Sequence, residues 1–160
     1  MNAVTNSRGK LVTLEGPEGS GKSLQVPRLA RHLRFRGLEV VCLREPGGTE
    51  LGEQLRSIVK GLSVSTQPIP RAELLLFEAA RAQLVEEVIR PSLQKGMWVV
   101  CDRFMDSSRV YQGDARSLDG ATVDQLNAFA VQDCRPDLTV VLDVPWDIGK
   151  RRIHHRRGEL

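Results

Sequence analysis

The chain has 160 residues, of which 41% are hydrophobic and 27% charged, as expected for one globular domain with its own core. Its apolar runs are far shorter than the ~20 residues that a membrane helix needs, and no secretory signal pattern opens it, so we expect no membrane segment. The net charge of +3 depends on five basic residues within 150–157, and the remaining 18 basic against 20 acidic side chains argue against nucleic-acid binding.

Alternating strand-like and helix-like segments predict an α/β fold. Residues 1–9 are polar, and we expect a loose tail there. Apolar runs predict strands at 11–14, 39–43, 97–101 and 138–143, and helical patterns occupy 22–36, 50–60, 71–93 and 121–133. This alternation predicts a three-layer arrangement, a parallel sheet flanked by helices, in a single domain over 1–160. Ligands of such sheets bind beyond the carboxyl ends of the strands.

The first strand end carries a phosphate-binding loop. Its eight residues match the pattern G-x-x-x-x-G-K-[ST] and lie between a strand and a helix; they are Gly16, Pro17, Glu18, Gly19, Ser20, Gly21, Lys22 and Ser23. The glycines let backbone N–H groups curl around a triphosphate, and the helix N-terminus adds partial positive charge. Lys22 can reach the β- and γ-phosphates, and the Ser23 hydroxyl can ligate Mg²⁺. A chance glycine loop is the alternative, but the full match predicts nucleoside triphosphate binding.

Charged residues follow the second and third strands. Arg44-Glu45-Pro46-Gly47-Gly48 is either a surface turn or part of a site opposite the phosphate-binding loop. Asp102 follows an apolar run and can hold Mg²⁺, or it forms a structural ion pair. Arg103 offers a planar guanidinium suited to a phosphate. These residues predict one crevice along the strand ends.

The predicted helix at 71–93 contains a charge on its apolar face. That face is formed by Leu74, Phe77, Leu84, Val85 and Val88. Arg81 lies in the same stripe, so its guanidinium must be paired or must border a ligand cavity. Phe77 is either plain core or a pocket wall on which a base can stack. Residues 107–113, polar and treated as a loop, follow Asp102-Arg103, and some of them should face the crevice.

The three cysteines, Cys42, Cys101 and Cys134, are odd in number and widely spaced. Cys42 and Cys101 lie in apolar, strand-like runs. This favours buried, reduced thiols over a disulfide or metal site, and it fits a reducing cytoplasm.

Taken together, the motifs resemble those of bacterial thymidylate kinases, from about Leu11 to the last residue. The matching segments are Gly16–Ser23, Arg44-Glu45-Pro46-Gly47-Gly48-Thr49, Phe77-Glu78-Ala79-Ala80-Arg81, Asp102-Arg103-Phe104, Asp106-Ser107-Ser108, Tyr111-Gln112-Gly113, Arg135-Pro136-Asp137-Leu138-Thr139 and Arg157-Gly158-Glu159-Leu160. The resemblance implies a P-loop nucleotide kinase fold, ATP and dTMP as substrates, Mg²⁺ as cofactor, and a homodimer.

The resemblance also implies roles for single residues. Glu18 would contact the deoxyribose 3′-hydroxyl, Phe77 would stack on thymine, and Arg81 would read its O4 edge. The remaining implied dTMP contacts are Arg56 and Arg103 at the acceptor phosphate and Ser108 and Gln112 at the base. Lys22 and the loop amides would hold ATP, with Ser23 and Asp102 near Mg²⁺.

The family also implies a catalytic arginine on a mobile lid, because relatives of this type lack an arginine in the phosphate-binding loop. Here the lid segment is the basic stretch 150–157, and Arg157 or Arg156 is the catalytic candidate. Leu24 departs from the family pattern, since a second hydroxyl usually follows Ser23.

The chain stops at Leu160, within the expected lid. We therefore expect a fragment without the last strand and closing helices, with 139–142 at an open, apolar sheet edge and with weak or no activity. A non-catalytic nucleotide-binding fragment and a kinase for another nucleoside monophosphate are the alternatives. A signalling GTPase is disfavoured because no Asn-Lys-x-Asp motif occurs.

Overall fold

The computed structural model describes residues 8–157, without the side chains of Arg156 and Arg157. Its sheet consists of β1 (Leu11–Glu15), β2 (Val40–Arg44), β3 (Trp98–Asp102) and β4 (Leu138–Val141). All pairs are parallel and the order is β2-β3-β1-β4. Leu14 and Arg44 both lie opposite Asp102, so the carboxyl ends of the strands meet at one edge, as predicted.

Helices connect the strands; those within 22–94 and at 120–131 lie close to the predicted ranges, whereas Met105–Ser108 and Trp146–Arg157 were not predicted as helices. The helices are α1 (Lys22–Phe35), α2 (Glu50–Val59), α3 (Pro70–Leu84), α4 (Arg90–Gln94), α5 (Met105–Ser108), α6 (Gly120–Val131) and α7 (Trp146–Arg157). A π-helical stretch, Val85–Ile89, joins α3 to α4. Side-chain caps begin α2 and α6: Thr49 accepts a hydrogen bond from the Gly52 amide (3.0 Å) and Asp119 one from the Thr122 amide (2.8 Å).

The core has two parts, one on each face of the sheet, because alternate strand residues point to opposite sides. One face buries Leu11, Leu84, Val85, Ile89, Leu93, Val99, Cys101, Phe104, Val131 and Cys134. The other face packs under α1 and buries Val12, Leu14, Val26, Ala30, Val40 and Val100. The predicted three-layer fold is therefore confirmed.

Residues 105–114 are helical, so the prediction of a loop at 107–113 was wrong. A second π-helical stretch, Arg109–Asp114, continues directly from α5. Buried carboxylate contacts hold the start of this segment: Glu15 accepts hydrogen bonds from the Phe104 amide and the Ser107 hydroxyl. The local sequence shows no sign of this tie, because Glu15 lies about ninety residues earlier.

The prediction that Cys42 is buried was also wrong, while Cys101 and Cys134 are buried as expected. Cys42 lies on β2, at an edge of the sheet, where a strand has a neighbour on one side only. All three thiols are free. Burial raises the pKa of the Cys101 thiol well above its ordinary value.

The opposite edge strand, β4, is apolar and exposed. Leu138 and Val141 expose 55% and 65% of their surface. Within residues 8–157 no further strand pairs with β4, as we expected for 139–142. No helix in the same range combines the length and apolarity that crossing a membrane requires.

Of the predicted tail 1–9, the structure describes two residues. The Gly9 amide donates to the Leu93 carbonyl (2.8 Å), and Arg8 pairs with Asp137 at 3.5 Å. The rest of that tail lies outside the described residues.

Leu93→Ala should lower the free energy of unfolding by about 2–5 kcal/mol, because Leu93 is 1% exposed and the substitution leaves a cavity. Leu62→Ala, at a site 77% exposed, is the matched control and should change it by less than about 0.5 kcal/mol. Urea denaturation measures both, and equal effects would contradict the core assignment.

Candidate functional site

The strand ends open into one cavity of about 1320 Å³. It is lined by the phosphate-binding loop, the segments after β2 and β3, and parts of α2, α3 and α7. Its charged lining residues are Glu18, Lys22, Arg44, Glu45, Arg56, Lys60, Glu73, Arg81, Asp102, Arg103, Arg116 and Arg152. Basic side chains outnumber acidic ones in this lining, so the cavity suits a polyanion.

The phosphate-binding loop is shaped by its glycines. Gly16, Gly19 and Gly21 have φ angles of 137°, 79° and 100°, which favour residues without a Cβ. A Cβ on Gly16 would lie 2.6 Å from the Leu142 carbonyl oxygen. The structure thus places a tight loop directly before α1, with Glu18 to Ser23 against the cavity.

Lys22 is folded back over this loop. Its Nζ donates to the carbonyl oxygens of Gly16 and Pro17, both at 2.8 Å, and to Ser20 Oγ at 3.3 Å. Burial lowers the pKa of Lys22, and the nearby charge of Arg103 lowers it further. The ammonium group therefore lies inside the loop, where a bound phosphate can compete for it.

Ser23 and Asp102 come together at the start of α1 and the end of β3. Ser23 Oγ donates to Asp102 Oδ2 at 2.7 Å. Residues 8–157 contain no group of three or more histidine, cysteine or acidic side chains able to hold a metal by themselves. One hydroxyl and one carboxylate nevertheless fit Mg²⁺, which usually binds one or two protein groups, substrate phosphates and water.

Glu15 ties the end of β1 to the segment after β3. Its Oε1 accepts from the Phe104 amide (2.8 Å) and its Oε2 from the Ser107 hydroxyl (2.7 Å). Burial raises the pKa of Glu15, although these hydrogen bonds oppose the shift. Arg103, directly before Phe104, has a φ of 70°, an uncommon backbone conformation that occurs often at functional sites.

Two arginines border the region that the resemblance assigns to an acceptor phosphate. Arg103 donates to Ser107 Oγ (3.0 Å), and its guanidinium carbon lies 5.0 Å from the centre of the Tyr111 ring. Arg56 Nη1 donates to the Pro46 carbonyl at 2.7 Å. Burial lowers the pKa of Arg56, and the nearby charge of Arg44 lowers it further. Both side chains are positioned by protein contacts and line the cavity.

Arg81 is the buried centre of a polar network and is 1% exposed. Its nitrogens donate to protein acceptors, which are Glu45 Oε2 (2.8 Å), Glu78 Oε1 (2.7 Å), Asn127 Oδ1 (2.7 Å), Ser108 Oγ (3.1 Å) and the Phe104 carbonyl (3.3 Å). The sequence left open whether this guanidinium is paired or borders a cavity, and it does both. A contact with O4 of thymine would have to share an N–H that already has a protein acceptor.

Each of the two carboxylates beside Arg81 has one oxygen that accepts no hydrogen bond within the described part of the chain. Glu45 and Glu78 are 6% and 5% exposed. Among the described residues, Glu45 Oε1 and Glu78 Oε2 are buried without a hydrogen-bond partner. Burial raises the pKa of Glu45 to about 7, against the opposing effect of Arg81. The segment after β2 is therefore not a surface turn, since Glu45 anchors it to α3.

Phe77, Ser108 and Gln112 line the same cavity. Phe77 is half-buried and faces the cavity, whereas Ser108 and Gln112 are 1% and 3% exposed. Gln112 Nε2 donates to Glu73 Oε1 at 2.9 Å, and Arg116 Nη2 donates to Glu73 Oε2 at 2.9 Å. The structure thus groups the predicted base-contacting residues and adds Glu73 to them.

The basic stretch 150–157, which we predicted to be a lid, belongs to α7, and this helix approaches the phosphate-binding loop. Arg152 Nη1 donates to the Gly19 carbonyl at 3.2 Å. A Cβ on Gly19 would lie 2.4 Å from the Gly149 carbonyl oxygen, so the two backbones are close. The side chains of Arg156 and Arg157, our catalytic candidates, lie outside the described residues.

Sequence reasoning missed Glu15, Glu73 and Arg152 as site residues. Glu15 carried a usable signal, because a carboxylate at the end of an apolar strand must find partners when it is buried. Arg152 lies within the basic stretch but was not singled out. Glu73 lies in the first turn of α3, and nothing in the neighbouring sequence distinguishes it from an ordinary acidic residue there.

The model of the family described as thymidylate kinase matches residues 14–159. A thymidylate kinase from Methylococcus capsulatus is 50% identical over 150 residues, which cover 94% of this chain and 71% of that protein. One from Pseudomonas fluorescens is 49% identical, over 92% and 70% of the two chains. The crystal structure of thymidylate kinase from Ehrlichia chaffeensis superposes with a TM-score of 0.79 at 36% identity, covering 95% of this chain and 86% of that one.

Glu45→Gln should change how stability depends on pH. The folded-state pKa of Glu45 is about 7, above its ordinary 4.5, so its contribution to stability is complete below about 4.5 and is lost as pH rises through 7. The glutamine does not titrate. The free energy of unfolding of the variant, relative to the parent, should therefore rise between pH 5 and 8. Urea denaturation at several pH values measures this, and a difference independent of pH would refute it.

Proposed function

This chain belongs to the thymidylate kinase family, and we propose that it transfers the γ-phosphoryl group of ATP to dTMP, giving dTDP and ADP. One observation carries the proposal: a single cavity is lined both by the phosphate-binding loop and by the group Phe77, Ser108 and Gln112. Such a cavity can hold a nucleoside triphosphate and a nucleoside monophosphate together. Phosphoryl transfer requires this arrangement, since the two substrates must meet in line.

The donor half contains the phosphate-binding residues. We assign the ATP phosphates to the backbone of 16–23 and to Lys22, whose ammonium already lies inside the loop. Ser23 and Asp102 would hold Mg²⁺, which, when bound, neutralises phosphate charge. The two side chains are positioned for this by their own hydrogen bond.

The acceptor half contains the base and phosphate contacts. We assign the monophosphate to Arg56 and Arg103, the deoxyribose 3′-hydroxyl to Glu18, and the base to stacking on Phe77. The base edge would meet Arg81, Ser108 and Gln112. An oxygen of the acceptor phosphate forms the new bond to the γ-phosphorus while the bond to the β-phosphate oxygen breaks. No general base is needed, because the acceptor oxygen is already anionic.

The main task of the protein is to bring two polyanions together and to stabilise charge on the transferred group. The basic lining of the cavity, which includes Arg152 of α7, suits this task. Arg156 and Arg157 stay candidates for the catalytic arginine, and Arg152 joins them through its contact with Gly19. We further propose that the protein works as a cytoplasmic homodimer, in a single domain with a lid that begins near residue 150.

A coupled assay of ADP release with dTMP, dUMP, dCMP, AMP and GMP as acceptors tests the proposal. We expect dTMP to give the highest kcat/KM, because the base-contacting group offers stacking and a polar edge suited to thymine. Omission of Mg²⁺ should abolish turnover. A higher kcat/KM with another monophosphate, or ATP binding without transfer to any of them, would refute the assignment.

Arg152→Ala should lower kcat by about 10²–10³-fold, because an arginine delivered to a phosphoryl-transfer site is worth about 10³–10⁵ in rate and Arg156 or Arg157 can share the role. Arg151→Ala is the matched control. Arg151 is exposed and pairs with Asp147 of the same helix. It should keep kcat within about twofold, and equal losses in the two variants would rule out a specific role for Arg152.

A further inference from the structure

We propose that Glu73 is a positioning residue that fixes the side-chain amide of Gln112 and thereby makes the cavity select pyrimidines that carry an N3–H over cytosine. The inference rests on the proposed function, since it concerns the base half of that site. It assigns a specificity role to a residue that is not itself required to touch the reacting groups.

Both carboxylate oxygens of Glu73 accept a hydrogen bond. Oε1 accepts from Gln112 Nε2 and Oε2 accepts from Arg116 Nη2, both at 2.9 Å. Glu73 lies in the first turn of α3 and Gln112 in the π-helical stretch 109–114, so the contact joins two separate elements. The Glu73 side chain is 13% exposed and the Gln112 residue 3%, so water competes little with this contact.

An ionised carboxylate accepts hydrogen bonds and cannot donate them. The two ends of the Gln112 amide are therefore not equivalent at this position. If the amide were reversed, its carbonyl oxygen would face the carboxylate, and a buried hydrogen bond would be replaced by repulsion. Leaving a buried group unpaired costs more than pairing it, so one orientation dominates. Arg116 Nη2 lies 2.9 Å from Glu73 Oε2 and helps to hold this carboxylate in place.

Glu73 takes one of the two N–H groups of Nε2, so the acceptor Oε1 lies on the side of the amide away from the carboxylate, where it can accept from a ligand. Gln112 lines the cavity beside Phe77, on which the base is proposed to stack. Thymine and uracil carry a hydrogen on N3, which donates to such an acceptor. Cytosine has an unprotonated N3, which would face Oε1 with a second lone pair. The fixed amide thus favours thymine and uracil and disfavours cytosine.

Ser108 and Arg81, which line the same cavity, also favour thymine over cytosine. Ser108 Oγ accepts from Arg81 Nη1 at 3.1 Å, so its own hydrogen is free to point elsewhere. A hydroxyl or guanidinium donor suits O4 of thymine and conflicts with the amino group of cytosine. Sites built to hydrogen-bond a substrate reject analogues that leave their groups unpaired. Glu73 therefore controls the contact at N3 of the base but not the one at O4. Its loss should weaken the selection of thymine over cytosine without abolishing it.

The test is calorimetric titration of dTMP, dUMP and dCMP into the full chain and into Glu73→Gln. The glutamine keeps the shape of Glu73 but can donate or accept, so Gln112 is free to reverse. We expect the dTMP-to-dCMP affinity ratio to fall about tenfold, the equivalent of one hydrogen bond. The affinity for dUMP should change in parallel with that for dTMP, because the two bases differ only in the C5 methyl group.

Glu87→Gln is the matched control. Glu87 Oε2 also accepts from a glutamine amide, that of Gln83, at 2.8 Å, but this pair is exposed and neither residue lines the cavity. The same chemical change there should leave all three affinities within about twofold. Arg116→Met gives a second route, since it removes one of the two hydrogen bonds that hold Glu73. It should shift the dTMP-to-dCMP ratio in the same direction by a smaller factor, even if Glu73→Gln fails to fold.

The outcomes distinguish a failure of the role of Glu73 from a failure of the proposed function. A parent chain that prefers dTMP, with a ratio unchanged in both Glu73→Gln and Arg116→Met, overturns the role of Glu73 and leaves the proposed function intact. A parent chain that binds none of the three pyrimidine nucleotides overturns the proposed function together with this inference. A fall in dTMP affinity matched by an equal fall for dCMP would show loss of packing and would also overturn the role of Glu73.

Discussion

The site depends on one buried charge, the guanidinium of Arg81. A buried ion is tolerable only where its hydrogen-bonding groups are satisfied, and Arg81 meets this condition with acceptors from four parts of the chain. Glu45 comes from the end of β2, Glu78 from α3, Ser108 from α5 and Asn127 from α6. Removing the charge would leave two carboxylates buried without a counterion. The network therefore fixes where these elements meet, which is one wall of the cavity.

A second constraint comes from Glu15, a buried carboxylate at the end of β1. It joins the end of β1 to the segment after β3, and so relates the phosphate-binding loop to Arg103. The distance between the charged groups of the site matters, because electrostatic stabilisation of a transition state requires these groups to be in place before the reaction starts. Buried carboxylates thus hold the arginines that face the cavity.

Much of the fold could be predicted because its signals are local and periodic. Four apolar runs became β1 to β4 within one or two residues, and the long helical pattern at 71–93 became α3, a π-helical stretch and α4. The predictions failed where distant contacts decide conformation. The 105–114 segment is helical because Glu15 and Arg81 hold its start, and Cys42 is exposed because β2 lies at a sheet edge.

The phosphate-binding loop could be recognised from the order of the amino acids alone, since its chemistry is contained in eight consecutive residues and a flanking strand and helix. The same order also indicated that Arg81 needs partners, because a charge in an apolar stripe is costly when it is unpaired. The identity of these partners, and the contact between Glu73 and Gln112, became clear only in the folded chain. Such pairings join residues tens of positions apart, and their energies depend on a burial that exists only once the chain has folded.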